Sequence, residues 1–204
     1  MADPSTLTTL VDVEEADVEI LSKRPPKPLK IVEYNPEWPA LFASVSQRIR
    51  EALGDRAVVI EHVGSTSVPG LAAKDVIDID LVVPDPADED AYVPALQAAG
   101  FQFLFREPKW YEHRFFHLQS EDPYTNLHVF GPSSPELVRH RMFRDWLREH
   151  EDDRRIYTEV KREAAEASAA AGEGVQKYND RKEPVLRDIL RRIFEAHGLQ
   201  APEK

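Results

Sequence analysis

The feature that most constrains this sequence is an apolar run, DVIDIDLVV (residues 75–83), which carries two aspartates two positions apart. Its β-branched residues predict a strand. Because successive strand side chains alternate between faces, Asp78 and Asp80 share one face, while the apolar residues between them face a core. Neighbouring carboxylates repel each other unless a cation lies between them. Apolar residues continue beyond Asp80 and argue against a solvated strand end, so the run predicts a cation site.

The turn GSTSVPG (residues 64–70) comes shortly before this strand. Gly64 permits a close backbone approach, and the hydroxyl and N–H groups of Ser65 and Thr66 can donate to phosphate oxygens. Such clusters are more often ordinary loops, so the turn gains meaning from its short connection to the aspartates. Because hard divalent ions are commonly shared between carboxylates and substrate phosphates, we predict a phosphate site beside a bound Mg²⁺ or Mn²⁺.

Hydrophobic periodicity divides the chain into three parts. Residues 1–28 are acidic and weakly patterned, and their prolines favour an extended arm, so we predict a flexible N-terminal tail. Residues 29–132 are typical of strands alternating with helices, and residues 133–200 are typical of helices. This order predicts an α/β (α+β) fold, in which a mixed β-sheet core is flanked by helices and a helical C-terminal layer packs on it in one compact unit.

Charge and composition narrow the classes of partner. The formal net charge of −11 argues against nucleic acid as a partner and favours small ligands or metal-bound substrates. The sequence has no cysteine, which excludes disulfides and thiolate metal sites and fits a reducing cytoplasm. It has neither a membrane-length apolar stretch nor the pattern of a signal peptide. We therefore expect a cytoplasmic protein without a membrane partner.

The segment HVGSTSVPGLAAKDVIDIDL resembles the GrpB family (UPF0157), which belongs to the nucleotidyltransferase-fold superfamily. The signature of that superfamily is a Gly-Ser turn followed by an Asp-x-Asp strand, and it matches Gly64-Ser65 and Asp78-x-Asp80 here. The similarity covers about residues 30–195 and includes the segments IVEYNPEWPALF, NLHVFG, FRDWLREH, YTEVKREAA and YNDRKEPVLRDIL.

The resemblance implies a nucleotidyltransferase-like core that moves a nucleotidyl group from a nucleoside triphosphate to a small acceptor. In such a site Asp78 and Asp80 would hold Mg²⁺, which neutralises charge on the phosphates. Gly64, Ser65 and Thr66 would hold the phosphates themselves. The implied partners are therefore a nucleoside triphosphate and a small-molecule acceptor.

The sequence departs from the superfamily pattern in one respect, because catalytic nucleotidyltransferases usually add a third carboxylate from a neighbouring strand. On the predicted strand TNLHVFG, the residue that alternates away from Leu127 and Val129 is His128. This residue could ligate a metal, activate the acceptor hydroxyl or simply complete the site, although imidazole is a poorer ligand for hard cations than carboxylate. Glu61, on the strand before the turn, is an alternative source of the third carboxylate.

The missing carboxylate leaves open a second class of function, a module that binds a nucleotide or a coenzyme A precursor without chemistry. Members of the family occur fused to dephospho-coenzyme A kinase, which implies a link to that pathway. A third class, RNA-directed chemistry, is known in the superfamily, and the acidic balance of the chain argues against it.

Five further residues are candidate nucleotide ligands because their side chains can contact phosphates or a base. Each also has an ordinary explanation, such as a surface lysine at a strand entrance or a solvated helix face. Tyr178 and Lys182 are four residues apart in a predicted helix and would lie on one face of it. The other three are Lys74, Arg114 and Lys161.

Overall fold

The computed structural model describes residues 4–11, 14–24, 28–118 and 124–199. Its strands are β1 (Glu19–Ile20), β2 (Ile31–Val32), β3 (Val59–Val63), β4 (Ala73–Lys74), β5 (Ile77–Val82), β6 (Phe101–Glu107), β7 (His113–Leu118) and β8 (Thr125–Phe130). Six of them form one mixed sheet in the order β1-β6-β7-β8-β5-β3, in which only β5 and β8 are parallel. Strands β2 and β4 pair separately.

The helices are α1 (Pro4–Thr8), α2 (Trp38–Leu53), α3 (Val93–Ala98), α4 (Pro135–Glu149), α5 (Glu151–Ala170) and α6 (Val175–Ala196). Helices α2 and α3 pack on one face of the sheet, and the long C-terminal helices lie on the other. The predicted α/β fold with a helical C-terminal layer is therefore confirmed. Within the described ranges, no helix is long and apolar enough to cross a membrane.

Helix α2 forms because its apolar residues recur at helical spacing along one side. Trp38, Val45, Ile49 and Leu53 are buried there against the sheet. The helix ends at Gly54, whose φ of +56° is a left-handed conformation that glycine adopts without steric cost.

Strand β5 shows the alternation that the sequence predicts. Ile77, Ile79 and Leu81 are fully buried in the core under α2 and α3. Asp78 and Asp80 consequently face the opposite side, toward the C-terminal helices. One face of β5 is thus apolar, and the other carries the two aspartates.

The described parts of the N-terminal segment pack against α4 and β6. This placement differs from the prediction of a flexible tail outside the core. Leu7 of α1 is buried, and the guanidinium of Arg139 in α4 donates to the carbonyl oxygens of Thr6 and Thr9. Strand β1 supplies partners for the backbone groups at the β6 edge. A two-residue strand carries no readable period, so the sequence could not reveal this pairing. The prolines at 25 and 26 lie outside the described residues.

Candidate functional site

The turn that follows β3 lies directly against the first aspartate of β5. Gly64 has a φ of +67°, and a Cβ added to it would lie 2.5 Å from Asp78 Oδ2. No side chain fits there, so glycine is required for this close approach. The Ser67 hydroxyl donates to the Gly64 carbonyl oxygen at 2.6 Å and closes the turn. The predicted contact between the turn and an aspartate is thus present.

The turn and β5 form one wall of a cavity of about 310 Å³, which we call the polar cavity. Helices α5 and α6 supply the opposite wall. Most of the predicted site residues line it, namely Gly64, Ser65, Thr66, Lys74, Asp78, His128, Lys161, Tyr178 and Lys182. The Thr66 hydroxyl is already engaged, because it donates to the Val76 carbonyl oxygen at 3.1 Å.

Each aspartate has one oxygen bonded to the protein and one without a hydrogen bond to any described residue. Asn126 Nδ2 donates to Asp78 Oδ1 at 2.7 Å. His140 Nδ1 lies 2.8 Å from Asp80 Oδ2, while Asp80 Oδ1 is fully buried without a partner. Burial raises the pKa of Asp78, and the Asn126 hydrogen bond and the charge of Lys74 oppose that rise. Two carboxylate oxygens thus remain uncommitted on one face of β5.

Three lysines bring positive charge to the polar cavity. Lys161 is only 2% exposed, and its Nζ donates to the Ala72 carbonyl oxygen and to Ser65 Oγ. Burial, together with the charges of Lys182 and Lys74, lowers the pKa of Lys161 to about 7. The ammonium groups of Lys74 and Lys182 lie 4.9 and 5.7 Å from the ring centroid of Tyr178. None of these ammonium groups is within salt-bridge distance of a described carboxylate.

His128 projects from β8 onto the same face as the aspartates, as its alternation with Leu127 and Val129 predicts. Its Nδ1 lies 3.1 Å from His113 Nε2, and His113 Nδ1 lies 2.5 Å from Glu107 Oε2. Burial lowers the pKa of His128 to about 3, so its ring is neutral near pH 7. Burial also raises the pKa of Glu107 to about 7.

His140 of α4 is the main site residue that the sequence analysis missed. Its ring lies over β5, where Asp80 holds it by a hydrogen bond and an opposite charge and raises its pKa to about 9. Burial opposes that rise. His140 is therefore an imidazolium at neutral pH and supplies a cation to the aspartate pair. A lone histidine on an amphipathic helix gives no signal in the sequence, since only the tertiary packing brings it to Asp80.

Asn126 could have been found from the sequence. It precedes His128 by two positions on β8, so strand alternation places both on the polar face. Its hydrogen bond to Asp78 is continued by Arg24, whose Nη1 donates to Asn126 Oδ1 at 2.6 Å. A residue of the N-terminal segment thus supports the site.

Arg114 is not part of the site, which corrects the prediction that it binds a nucleotide. It pairs across β7 and β8 with Val129, a core residue, and so lies on the opposite face of the sheet. There its guanidinium is buried against the carboxylates of Glu89 and Glu112.

Glu61 lies beside Asp80 across β3 and β5, as an alternative third carboxylate should. Its Oε2 is 3.7 Å from the Arg141 guanidinium rather than joined to the aspartates. Among the described residues, no group of three or more histidine, aspartate and glutamate side chains is placed to hold a metal ion. Asp78 lines the polar cavity, whereas Asp80 is not in its lining. Their uncommitted oxygens are the carboxylate donors that a hard cation would use, and Mg²⁺ is often held by one or two carboxylates together with substrate phosphates.

A larger cavity of about 570 Å³ adjoins the polar cavity. The two share Gly64, Ser65, His140 and Tyr157 in their linings. The walls of the adjoining cavity are partly apolar, with Phe143 and side chains of α6, and arginine and glutamate side chains lie among them. A ligand with a charged part and a partly apolar part could therefore occupy both cavities, with the Gly64–Ser65 backbone between the two parts.

The raised pKa of Glu107 predicts a pH dependence of stability. The folded protein keeps the Glu107 proton up to about pH 7, whereas the unfolded chain loses it near 4.5, so stability falls as pH rises through that window. We expect the Glu107→Gln variant to lack this fall, which amounts to at most about 3 kcal/mol. Urea unfolding across the window measures it. Glu112→Gln, which changes an exposed neighbour, should keep the wild-type slope, and parallel curves for wild type and Glu107→Gln would contradict the assignment.

Comparison with known proteins places this site in a family context. A family profile described as GrpB protein matches residues 28–192. The chain is 44% identical over 193 residues to the UPF0157 protein BH1888 of Halalkalibacterium halodurans, covering 94% of this chain and 96% of the relative.

Two further matches differ in what they cover. A dephospho-CoA kinase of Mycolicibacterium paratuberculosis is 35% identical over 192 residues, which is 82% of this chain but only 46% of that protein. The crystal structure of conserved protein GrpB from Enterococcus faecalis superposes with a TM-score of 0.70 at 24% identity, over 83% of this chain and 99% of that one. This last similarity concerns the fold alone.

Proposed function

This chain belongs to the GrpB family (UPF0157), and from that premise we propose that it is an Mg²⁺-dependent nucleotidyltransferase acting from a nucleoside triphosphate on a small acceptor. The polar cavity would bind the phosphates, and the adjoining cavity would receive the acceptor or the nucleoside. The superfamily signature at the Gly64–Ser65 turn and the aspartates of β5 supports this assignment.

The observation that carries the proposal is the excess of positive charge in the polar cavity. Lys74, Lys161 and Lys182 line it together with a single carboxylate, that of Asp78. Burial, followed by repulsion from Lys182, lowers the pKa of Lys161 and of Lys74, which is a cost to the folded protein. An oligophosphate removes that cost, because its oxygens accept from all three. The Lys161 pKa should consequently rise when a phosphate binds.

Asp78 and Asp80 would hold Mg²⁺ through their uncommitted oxygens, and the ion would supply charge neutralisation for the phosphates. His140 already neutralises Asp80, so one bound Mg²⁺ would leave the site with a net positive charge, which phosphate oxygens would complement. The lysines orient the β- and γ-phosphates, and the Gly64 backbone allows them to approach the aspartates closely.

The proposed reaction forms a bond between an acceptor oxygen and the α-phosphorus and breaks the bond from that phosphorus to pyrophosphate. The acceptor hydroxyl must lose its proton as it attacks. His128 lines the polar cavity as a neutral imidazole, and its Nε2 has no hydrogen bond to a described residue. We assign His128 as the group that takes this proton.

A binding module without chemistry is the second candidate. It is favoured because, within the described part of the chain, no third carboxylate joins Asp78 and Asp80, and because some relatives are named dephospho-CoA kinase. The match covers 46% of one such relative. In that case the two cavities would hold a nucleotide or a coenzyme A precursor, and His128 would only donate or accept hydrogen bonds.

Calorimetry with ATP, GTP, CTP and UTP, with and without Mg²⁺, tests the binding part of the proposal. We expect at least one nucleotide to bind, and the Lys182→Met variant to bind it about tenfold more weakly or worse, because a charge-assisted hydrogen bond is lost. Lys177→Met is the matched control, since Lys177 lies on the same helix but is exposed and paired with Asp180. No binding of any nucleotide, or equal losses in both variants, would contradict the proposal.

A further inference from the structure

Behind His128, away from the polar cavity, two side chains continue a line of hydrogen bonds. His128 Nδ1 lies 3.1 Å from His113 Nε2, and His113 Nδ1 lies 2.5 Å from Glu107 Oε2. The line begins at the cavity and ends at a carboxyl group that is 12% exposed. We call Glu107, His113 and His128 the histidine relay.

The relay is enclosed by aromatic rings. The ring of His113 is stacked on Phe130 at 4.6 Å and meets Trp110 edge-on at 5.0 Å, and its side chain is 2% exposed. The charged and titratable groups that act on the relay are Arg114 and His140 on His113, and Asp80, His140 and Arg24 on His128. No charge on a described residue contributes to the pKa of Glu107, which is set by burial.

The hydrogen bonds dictate the tautomers once the state of Glu107 is known. An ionised Glu107 accepts from His113 Nδ1–H, which leaves His113 Nε2 as an acceptor for His128 Nδ1–H. His128 Nε2 then presents a lone pair toward the cavity. A protonated Glu107 donates to His113 Nδ1 instead, both tautomers reverse, and His128 Nε2 carries a hydrogen.

We propose that Glu107 is the final acceptor of the proton taken from the substrate, which passes through His128 and His113. This inference rests on the proposed function only for the source of the proton. The acceptor hydroxyl gives its proton to His128 Nε2, His128 gives its Nδ1 proton to His113 Nε2, and His113 gives its Nδ1 proton to Glu107 Oε2. Each ring gains one proton and loses one, so both end neutral and only Glu107 changes charge.

This relay resolves a physical difficulty in the site. Burial lowers the pKa of His128 to about 3, so a proton that remained on that ring would be held too weakly for an effective base. The pKa of Glu107 is about 7, which is suited to accepting a proton at neutral pH. The two rings pass the proton on, and each is neutral before and after the transfer. Glu107 and His113 act through His128 and are therefore positioning residues.

Long-range ¹H–¹⁵N correlation spectra of the ¹⁵N-labelled wild-type chain test the relay directly, without a substrate. We expect the rings of His113 and His128 to stay neutral while the pH is raised through the range in which Glu107 loses its proton. Both should carry the proton on Nδ1 above about pH 7 and on Nε2 below it. Tautomers that do not change across this range, or an imidazolium forming at either ring, would overturn the proposal.

Two variants separate the relay from a merely structural network. In Glu107→Gln the tautomers should no longer depend on pH, because the amide does not titrate, whereas Glu112→Gln should behave as wild type. The rate of pyrophosphate release gives the second readout. In the wild type this rate should rise with pH through about 7, and in Glu107→Gln the rise should be absent. A tautomer switch without any pyrophosphate release supports the relay and rejects nucleotidyl transfer. Pyrophosphate release together with tautomers that do not change with pH supports nucleotidyl transfer and rejects the relay.

Discussion

We expect the His140→Gln variant to be less stable than the wild-type protein by about 3–5 kcal/mol near neutral pH. Asp80 is 0% exposed, and His140 is the cation bonded to its Oδ2 at 2.8 Å. Removing the imidazolium leaves a buried carboxylate uncompensated, which is more costly than losing the attraction itself. Urea unfolding at several pH values measures the loss.

The pH dependence of this effect has a definite sign. The pKa of His140 is raised to about 9 in the folded protein from 6.5 in the unfolded chain. Its stabilisation is therefore complete below about pH 6.5 and is lost as pH rises through about 9, so the difference between wild type and variant should shrink there. A difference that stays constant across this range would show that the ion pair is not its source.

Two comparisons complete the test. The double variant Asp80→Asn/His140→Gln should recover much of the stability, because no buried charge is left. Millimolar Mg²⁺ should stabilise His140→Gln more than the wild-type protein, since a cation at Asp78 and Asp80 replaces the missing one. A double variant as unstable as His140→Gln alone would assign the loss to packing of α4 instead.

The second large effect is on catalysis. We expect Asp78→Asn to lower the rate of pyrophosphate release by about 10²-fold or more, because the variant loses one of the two carboxylates proposed to hold Mg²⁺. The measurement is release from nucleoside triphosphates with pooled small acceptors. Asp180→Asn is the control, because Asp180 lies on α6, two residues after Tyr178, but is exposed and paired with Lys177.

Binding by the same variant distinguishes a metal ligand from a general loss of structure. Without Mg²⁺, Asp78→Asn should bind a nucleoside triphosphate more tightly than the wild type, because a carboxylate no longer repels the phosphates. With Mg²⁺ the wild type should gain affinity and the variant should gain little. If Asp78→Asn loses affinity equally with and without Mg²⁺, the aspartate does not act through a cation.

Much of the polar side of the fold follows from local patterns. The period of two in β5 predicted which side chains enter the core and which two carboxylates share the other face, and the same alternation placed His128 on β8. Gly64 was recognised because a glycine in the turn permits a close backbone approach, and its positive φ came only from the structure. Lys161, Tyr178 and Lys182 were candidates because of their side-chain chemistry and the i,i+4 spacing of the last two, although a solvated helix face has the same spacing.

The sequence determined by itself the order of the main strands and helices after residue 28, the two faces of β5 and the short turn before it, because backbone sterics and side-chain alternation act over a few residues. Only the tertiary structure decided that His140 neutralises Asp80, that Arg114 faces away from the site and that Glu107 stands behind His113 and His128. These pairings join residues up to 60 positions apart. Their energies depend on burial and distance, which exist only after the helices have packed on the sheet.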